Sequence, residues 1–155
     1  MSAENNVPAI RFEGFSGEWK TNNLGENAEF SKGQGYSKSD LNEAGSPIIL
    51  YGRLYTKYQT VISEVDTFVK DNGKSIVSKG NEVIVPASGE TSEDIARASA
   101  VVKSGILLGG DLNVIYPNKK INSVFLAHTI SSGKAQKDLS KRAQGKSVVH
   151  VRNTD

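Results

Sequence analysis

The sequence predicts a mixed α/β (α+β) fold, in which a single compact domain is built from many short strands and a few short helices. Short apolar runs separated by turn residues recur along most of the chain, which is the pattern of many brief strands. The 15 glycines, set against four prolines, indicate many tight turns. At 155 residues the chain is long enough to bury a core as one domain.

The predicted strands are apolar segments bounded by glycine, proline or polar residues. In chain order they are residues 24–30, 48–51, 61–68, 75–77, 82–85, 101–102, 106–108, 112–115 and 148–151. The uninterrupted apolarity of residues 48–51 favours burial on both faces of that strand. Residues 71–74, with the sequence Asp-Asn-Gly-Lys, are a strong turn signal.

The start of the chain differs from the rest. Residues 1–7 are polar and are expected to form a disordered lead, and residues 8–155 are expected to form the domain. Residues 8–19 are predicted to be extended, because Gly14 and Gly17 interrupt any helix there. The large apolar side chains of this segment are expected to pack on the core; they are Ile10, Phe12, Phe15 and Trp19.

Short helices are predicted where a capping residue precedes a helical pattern. Ser39, Thr91 and Ser123 are the candidate N-caps, and a further helix is expected to follow Gly133 and to end at Gly145. The last helix has two distinct faces. Its apolar stripe consists of Ala135, Leu139 and Ala143, and its basic stripe consists of Lys134, Lys137 and Lys141.

Charge is distributed unevenly along the chain. Residues 1–100 have a net charge of −4, whereas residues 101–155 carry nine basic and three acidic side chains, a net charge of +6. This asymmetry suggests a basic partner-binding surface formed by the C-terminal third. The absence of cysteine excludes disulfides and thiolate metal sites, and with no apolar run long enough for a membrane helix it favours a cytoplasmic location.

Signatures of catalysis are missing from the sequence. His128 and His150 lack the spacing of metal ligands. The Gly-Lys-Ser tripeptides at residues 73–75 and 145–147 lack the earlier glycine of a phosphate-binding loop, and Gly33-Gln34-Gly35 lacks the third glycine of a dinucleotide site. We therefore predict no catalytic residue, no metal and no cofactor.

Binding chemistry is better represented. Lysine and arginine neutralise phosphates, glutamine and arginine hydrogen-bond to base edges, and tyrosine stacks on bases or bonds to phosphate. The candidate DNA-binding residues are Lys32, Gln34, Tyr36, Lys38, Arg53, Tyr55, Lys57, Lys134, Gln136, Lys137, Lys141, Lys146 and Ser147. For the lysines the alternative is an ordinary solvated helix face, and for the tyrosines it is half-burial at the ends of strands.

Several segments, taken in order, resemble a known family. They are Pro8-Ala9-Ile10-Arg11-Phe12, Gly14-Phe15, Gly17-x-Trp19, Gly33-x-Gly35-Tyr36-Ser37-Lys38, Pro47-x-Ile49-x-Tyr51-Gly52, the run from Lys79 through Asn81 to Gly89, Phe125-Leu126, and Gly145-Lys146-Ser147 with the strand to Val151. Together they resemble a target-recognition domain of the DNA specificity subunit of type I restriction–modification systems. Asn81 stands where that family usually has aspartate.

The resemblance implies a non-catalytic domain with a twisted, largely antiparallel sheet and short peripheral helices, which reads one half of a bipartite duplex DNA target. In the complete complex of this family, the partners are modification (methyltransferase) subunits and a restriction subunit. This chain is expected to hold one recognition domain and to stop before the long spacer helix of the family, which puts its binding of modification subunits in doubt. The alternatives are a protein-interaction module with a basic docking face and a small enzyme of unrecognised type.

Overall fold

A computed structural model describes residues 7–145 and 148–155. Within these residues the strands are β1 (Ala28–Lys32), β2 (Leu41–Asn42), β3 (Ser46–Ile49), β4 (Val61–Ile62), β5 (Phe68–Val69), β6 (Ile76–Lys79), β7 (Glu82–Pro86), β8 (Ser88–Gly89), β9 (Ser99–Val101), β10 (Ser104–Leu108), β11 (Leu112–Pro117) and β12 (Val149–His150). The helices are α1 (Leu24–Asn27), α2 (Arg53–Thr56), α3 (Ser92–Ile95), α4 (Ser123–Ile130) and α5 (Gly133–Arg142), and a single 3-10 turn covers Lys38–Asp40.

The strands form two five-stranded sheets and a two-stranded ribbon. The first sheet has the order β1-β11-β7-β9-β4 and the second the order β2-β5-β3-β10-β6, while β12 pairs with β8. Each of the two large sheets contains one parallel pair, β4 with β9 and β3 with β10, and its other pairs are antiparallel. The predicted mixed α/β fold with largely antiparallel pairing is confirmed.

The core has two layers that share β7. Ile84 packs with Ile49, Leu108 and Val114 between the two sheets. Val83 and Val85, on the other face of β7, pack against α4. Every residue of β7 is buried, because the strand is central in its sheet and is covered on both sides.

Both sheets present loops at one common end, which we call the loop end. The β1, β3, β7 and β10 strands all finish there, since Lys32 lies opposite Asn113 at the start of β11, Pro86 lies opposite Leu112, and Ile49 pairs in parallel with Leu108. The loops meet through backbone hydrogen bonds from Gly33 N to Leu112 O (2.9 Å) and from Gly109 N to Ile49 O (3.0 Å). The loop end comprises residues 33–37, 50–57, 87–97, 109–111 and 150–155.

Several predicted strands have different limits in the structure. Residues 24–30 divide into α1 and the start of β1, because the Asn23 side chain caps a helical turn by accepting from Gly25 N. The strand predicted at 48–51 is β3, which ends at Ile49, since the chain turns into α2 after Leu50. Residues 61–68 contribute to two strands in different sheets, β4 and β5, with a loop between them.

Helix ends were predicted less accurately than helix existence. Thr91 is the N-cap of α3, as predicted, and its hydroxyl accepts from Asp94 N. The cap of α4 is Asn122 rather than Ser123, and Ser37 rather than Ser39 precedes the 3-10 turn. The α5 helix ends at Arg142, not at Gly145, because Gln144 forms a backbone bridge with His150 instead of continuing the helix.

The aromatic segment near the start was predicted wrongly. Phe12 and Phe15 are 85% and 74% exposed, so these side chains do not pack on the core. The ring of Trp19 stacks on that of Phe125 at the surface of α4, with centroids 5.8 Å apart. The two sheets and α4 already complete the core without this segment, so its large side chains remain along an open groove of about 1030 Å³ beside α4.

Candidate nucleic-acid interface

The loop after β1 is held tightly against the turn between β10 and β11. A Cβ added at Gly33 would lie 1.8 Å from the carbonyl oxygen of Gly109, so only glycine fits this position. Gln34 donates its backbone N–H to Leu108 O (3.0 Å), and its side chain is exposed. A side chain on a fixed backbone at the surface is suited to directional hydrogen bonding with a ligand.

Tyr36 anchors the same loop to the turn over residues 71–75. Its hydroxyl lies 2.7 Å from Ser75 Oγ, donates to Asp71 Oδ1 at 3.2 Å and accepts from Asn72 N at 2.9 Å. The hydroxyl of Ser75, the backbone N–H of Gly73 and the hydroxyl of Tyr36 lower the pKa of the Asp71 carboxyl. Tyr36 therefore holds the loop in place with a hydroxyl whose partners are within the protein.

The α2 helix presents two cations on one side, and a single carboxylate binds both. Arg53 Nη2 and Lys57 Nζ each contact a different oxygen of Asp66. These hydrogen bonds, first that of Lys57 and then that of Arg53, lower the pKa of Asp66 to about 2. The three side chains are partly exposed and have a net charge of +1 rather than +2.

Tyr55 faces the opposite side of α2 and borders a cleft of about 550 Å³. Its hydroxyl donates to Ser88 O (2.9 Å), and burial raises its pKa to about 12. The cleft is also lined by Tyr51 and by three charged residues, Glu90, Asp94 and Arg97.

Arg97 is a loop-end residue that the sequence reasoning missed. Its guanidinium lies 4.8 Å from the centre of the Tyr55 ring, and its Nη1 donates to Leu54 O (3.0 Å). It thereby joins α3 to α2. Isolated in sequence between alanines, Arg97 gave no signal of this position, which follows from tertiary contacts alone.

The α5 helix lies beside the loop end and exposes its lysines. Gln136 is half-buried and donates to Ala96 O (3.2 Å), which fixes the helix against residues 94–97. Lys134 and Lys141 are 83% and 78% exposed and flank Asp138 at 2.5 and 4.0 Å. Lys134 chiefly, with smaller effects of the other basic residues nearby, lowers the pKa of Asp138.

Residues 152–155 lie near both the end of α5 and the end of β1. Arg152 forms an ion pair with Asp155 (3.2 Å), and the nearby charge of Arg142 adds to the lowering of the pKa of Asp155. Asn153 donates to Ser31 O (2.9 Å), which brings this segment beside Lys32. Arg142 and Arg152 were also missed from the sequence, because their proximity depends on how the chain end folds back.

The structure thus brings most of the predicted residues towards one end of the molecule. Lys32, Gln34, Tyr36, Arg53, Tyr55 and Lys57 lie on or next to loop-end segments, Lys38 follows in the 3-10 turn, and Gln136 joins α5 to residue 96. Lys137 is exposed on α5 between Lys134 and Lys141. Lys146 and Ser147 lie outside the described residues.

The opposite end of the molecule also carries lysines. Lys103 follows β9, and Lys119 and Lys120 follow β11, where both strands run away from the loop end. All three are exposed. They provide a matched set of charges with which the loop end can be compared.

Neither a metal-binding cluster nor a helix that could span a membrane occurs in the described part of the chain. In residues 7–145 and 148–155, no group of three or more histidine or acidic side chains is placed to hold a metal ion. No helix in the same residues has the length and apolarity needed to cross a bilayer.

Comparison with known proteins identifies the fold. No family model and no curated protein matches the sequence. The arrangement of sheets and helices is instead that of solved subunits from type I restriction–modification systems. The resemblance found in the sequence is therefore confirmed at the level of the fold.

Three of these structures illustrate the similarity. The HsdS subunit from Thermoanaerobacter tengcongensis is 15% identical, with 88% of this chain and 32% of that chain covered and a TM-score of 0.58. A chain from a structure of type I R-M system assembly and conformational transition is 17% identical, with 76% and 28% covered and a TM-score of 0.55. The type I S subunit from M. genitalium is 16% identical, with 85% and 30% covered and a TM-score of 0.53. The chain spans about a third of the length of these subunits.

Proposed function

We propose that this chain is a target-recognition domain that binds duplex DNA in a sequence-specific manner and reads one half of a bipartite target for a type I restriction–modification complex. The observation that carries the proposal is the loop end, where loops from both sheets meet and carry cations and hydrogen-bonding side chains. The fold shared with type I S subunits supports the same assignment.

Two sets of side chains have different roles in this DNA binding. Lys32, Lys38 and the α5 lysines bind phosphates and set affinity, because each phosphate contact releases condensed counterions. Gln34 and the residues around α2 lie where the loops converge and read base edges, which need donors and acceptors in fixed positions. Tyr36 supports the surface from below through its hydrogen bonds to residues 71–75.

In this function the chain acts as one part of a larger complex. The chain itself performs no chemical step and binds no cofactor; modification and restriction subunits supply methylation and cleavage. It acts in the cytoplasm, where the DNA and these subunits are found. A single recognition domain binds more weakly than two linked domains, because it lacks the effective concentration of a second attached site.

The test is a DNA titration over a range of salt concentrations. The wild-type chain is mixed with fluorescent duplexes of random sequence, and anisotropy is measured. It is compared with a triple variant, Lys134→Gln, Lys137→Gln and Lys141→Gln. If all three lysines contact phosphates, the slope of log K against log salt falls by about 2.7, at about 0.9 per contact; since Asp138 already offsets one of the charges, we expect a fall of about 2.

A second triple variant controls for overall charge. Lys103→Gln, Lys119→Gln and Lys120→Gln remove the same charge at the opposite end and should leave the slope within about 0.5 of the wild type. Equal effects of the two triple variants would remove α5 from the interface. Failure of the wild type to bind any duplex at low salt would contradict DNA binding itself.

The alternative function is a protein-interaction module with a basic docking face. The exposed lysines of α5 favour this reading as well, because an acidic protein offers them the same charge complementarity as DNA. Indifference to DNA at low salt, together with salt-sensitive binding to an acidic polypeptide such as polyglutamate, would support it.

A further inference from the structure

The cleft beside Tyr55 is lined by both a cation, Arg97, and a carboxylate, Asp94, a combination that a phosphate site does not need. The cleft has a volume of about 550 Å³, and the charged side chains that line it are Glu90, Asp94 and Arg97. The formal charge of this lining is −1, since two carboxylates accompany one guanidinium. A phosphate is therefore disfavoured in the cleft, whereas the neutral edge of a base pair is not.

Arg97 is held in position before any ligand arrives. Its Nε donates to Asp94 O and its Nη1 to Leu54 O, both at 3.0 Å, and its plane lies over the Tyr55 ring. A guanidinium has five N–H donors, and the other three have no partner among the described residues. A fork of donors fixed in this way loses little side-chain entropy on binding.

Asp94 supplies acceptors next to this fork. Its backbone N–H is capped by Thr91 Oγ (3.1 Å), so the position of the residue is set by the start of α3. Its carboxylate is exposed and has no hydrogen-bond partner within the described part of the chain. The cleft thus offers donors and acceptors only three residues apart in sequence, linked by the bond from Arg97 Nε to Asp94 O.

We propose that Arg97 and Asp94 together read a G·C base pair in the major groove. The guanidinium donates to O6 and N7 of guanine, and the carboxylate accepts from the N4 amino group of the paired cytosine, so the two side chains match the whole exposed edge of the pair. The inference rests on the proposed function and adds to it the base pair that this part of the surface recognises.

The experiment begins by finding the sequence that the full 155-residue chain prefers. Duplexes are selected from a random library with fixed flanks, and the enriched sequence is resynthesised with each G·C pair in turn replaced by A·T or carrying 7-deazaguanine, which lacks the N7 acceptor. Affinities are measured for the wild type, Arg97→Lys and Asp94→Asn. Asp94→Asn leaves the backbone cap of α3 intact, and Glu26→Gln at the opposite end removes an equal charge as a control.

We expect one G·C pair to be essential for the wild type, with a loss of about 5- to 150-fold on replacement by A·T. Arg97→Lys should largely abolish the discrimination against A·T and 7-deazaguanine at that pair, because an ammonium has no planar fork. Asp94→Asn should weaken only the preference for cytosine, and Glu26→Gln should keep the wild-type pattern. Thermal melts are used to check that both variants are folded.

Different failures have different meanings. If the wild type binds no DNA and enriches no sequence, the proposed function fails and this inference fails with it. If the wild type enriches a sequence that lacks G·C pairs, or if both variants keep full discrimination at every pair, the inference alone is wrong. If Arg97→Lys lowers the affinity for all DNA sequences equally and reduces the salt slope, Arg97 is a phosphate ligand. That result would also overturn the inference that Arg97 reads a base pair.

Discussion

Asp66 limits the positive charge of the loop end, and its removal is expected to strengthen DNA binding. Its two oxygens hold Arg53 and Lys57, so the three side chains have a net charge of +1. Asp66→Asn keeps the shape of the side chain and raises the net charge of this cluster to +2. The expected gain is therefore one phosphate contact, not two.

The magnitude follows from counterion release. One additional contact steepens the slope of log K against log salt by about 0.9. Between about 1 M and about 0.1 M salt, the affinity of the variant should therefore rise about eightfold more than that of the wild type. The assay is anisotropy of a duplex at five or more salt concentrations. Because Asp66 is about half exposed, the variant should remain folded, and a thermal melt checks this.

The control for net charge is Glu26→Gln, which removes one negative charge from α1 at the opposite end. A specific effect of Asp66 requires that this variant leave the slope unchanged. If both variants tighten binding equally, α2 does not face the DNA and only the total charge matters. If Asp66→Asn weakens binding, the carboxylate positions Arg53 and Lys57 rather than neutralising them.

Two further predictions concern the support of the surface. Gly33→Ala should destabilise the domain by about 3 kcal/mol or more, because its Cβ would overlap Gly109 O, whereas Gly52→Ala meets no atom within 4 Å and should be nearly neutral; denaturant titration measures both, and a neutral Gly33→Ala would contradict the close approach. Tyr55 has a folded-state pKa of about 12 against an ordinary value of 10, so its contribution to stability is complete below pH 10 and is lost as the pH rises towards 12. Absorbance titration should show a tyrosine that ionises near pH 12, and Tyr55→Phe should remove that step; its persistence would assign the step to another tyrosine, such as Tyr116, whose pKa burial also raises.

Prediction from sequence succeeded where local pattern and burial agree. The strand at residues 82–85 was predicted as a segment that follows Lys79-Gly80-Asn81 and ends at Pro86, and β7 is buried on both faces between the second sheet and α4. Thr91 was predicted as a cap from its position before an acidic turn, and it caps α3. In both cases the signal and the structure depend on neighbouring residues.

Prediction was wrong where distant parts of the chain compete. Phe12 and Trp19 have large apolar side chains of the kind found in protein cores. The two sheets and α4 already fill the core, so these side chains stay at the surface. Gln144 could continue α5 by local propensity, but its backbone pairs with His150. Neither outcome is visible in a local window of sequence, because each depends on contacts with residues that are distant in the chain.

At the loop end, local sequence pattern and tertiary structure determine different features. The sequence by itself determined the α/β class, the exposed lysines of α5 and the glycine loop around Gln34, since these depend on composition and short-range pattern. Only the tertiary structure decided that Arg97 stacks on Tyr55 and that Asp66 binds both cations of α2. The physical reason is that the sheet pairings bring the ends of β1, β3, β7 and β10 to one edge, and side chains far apart in sequence meet only once those strands are paired.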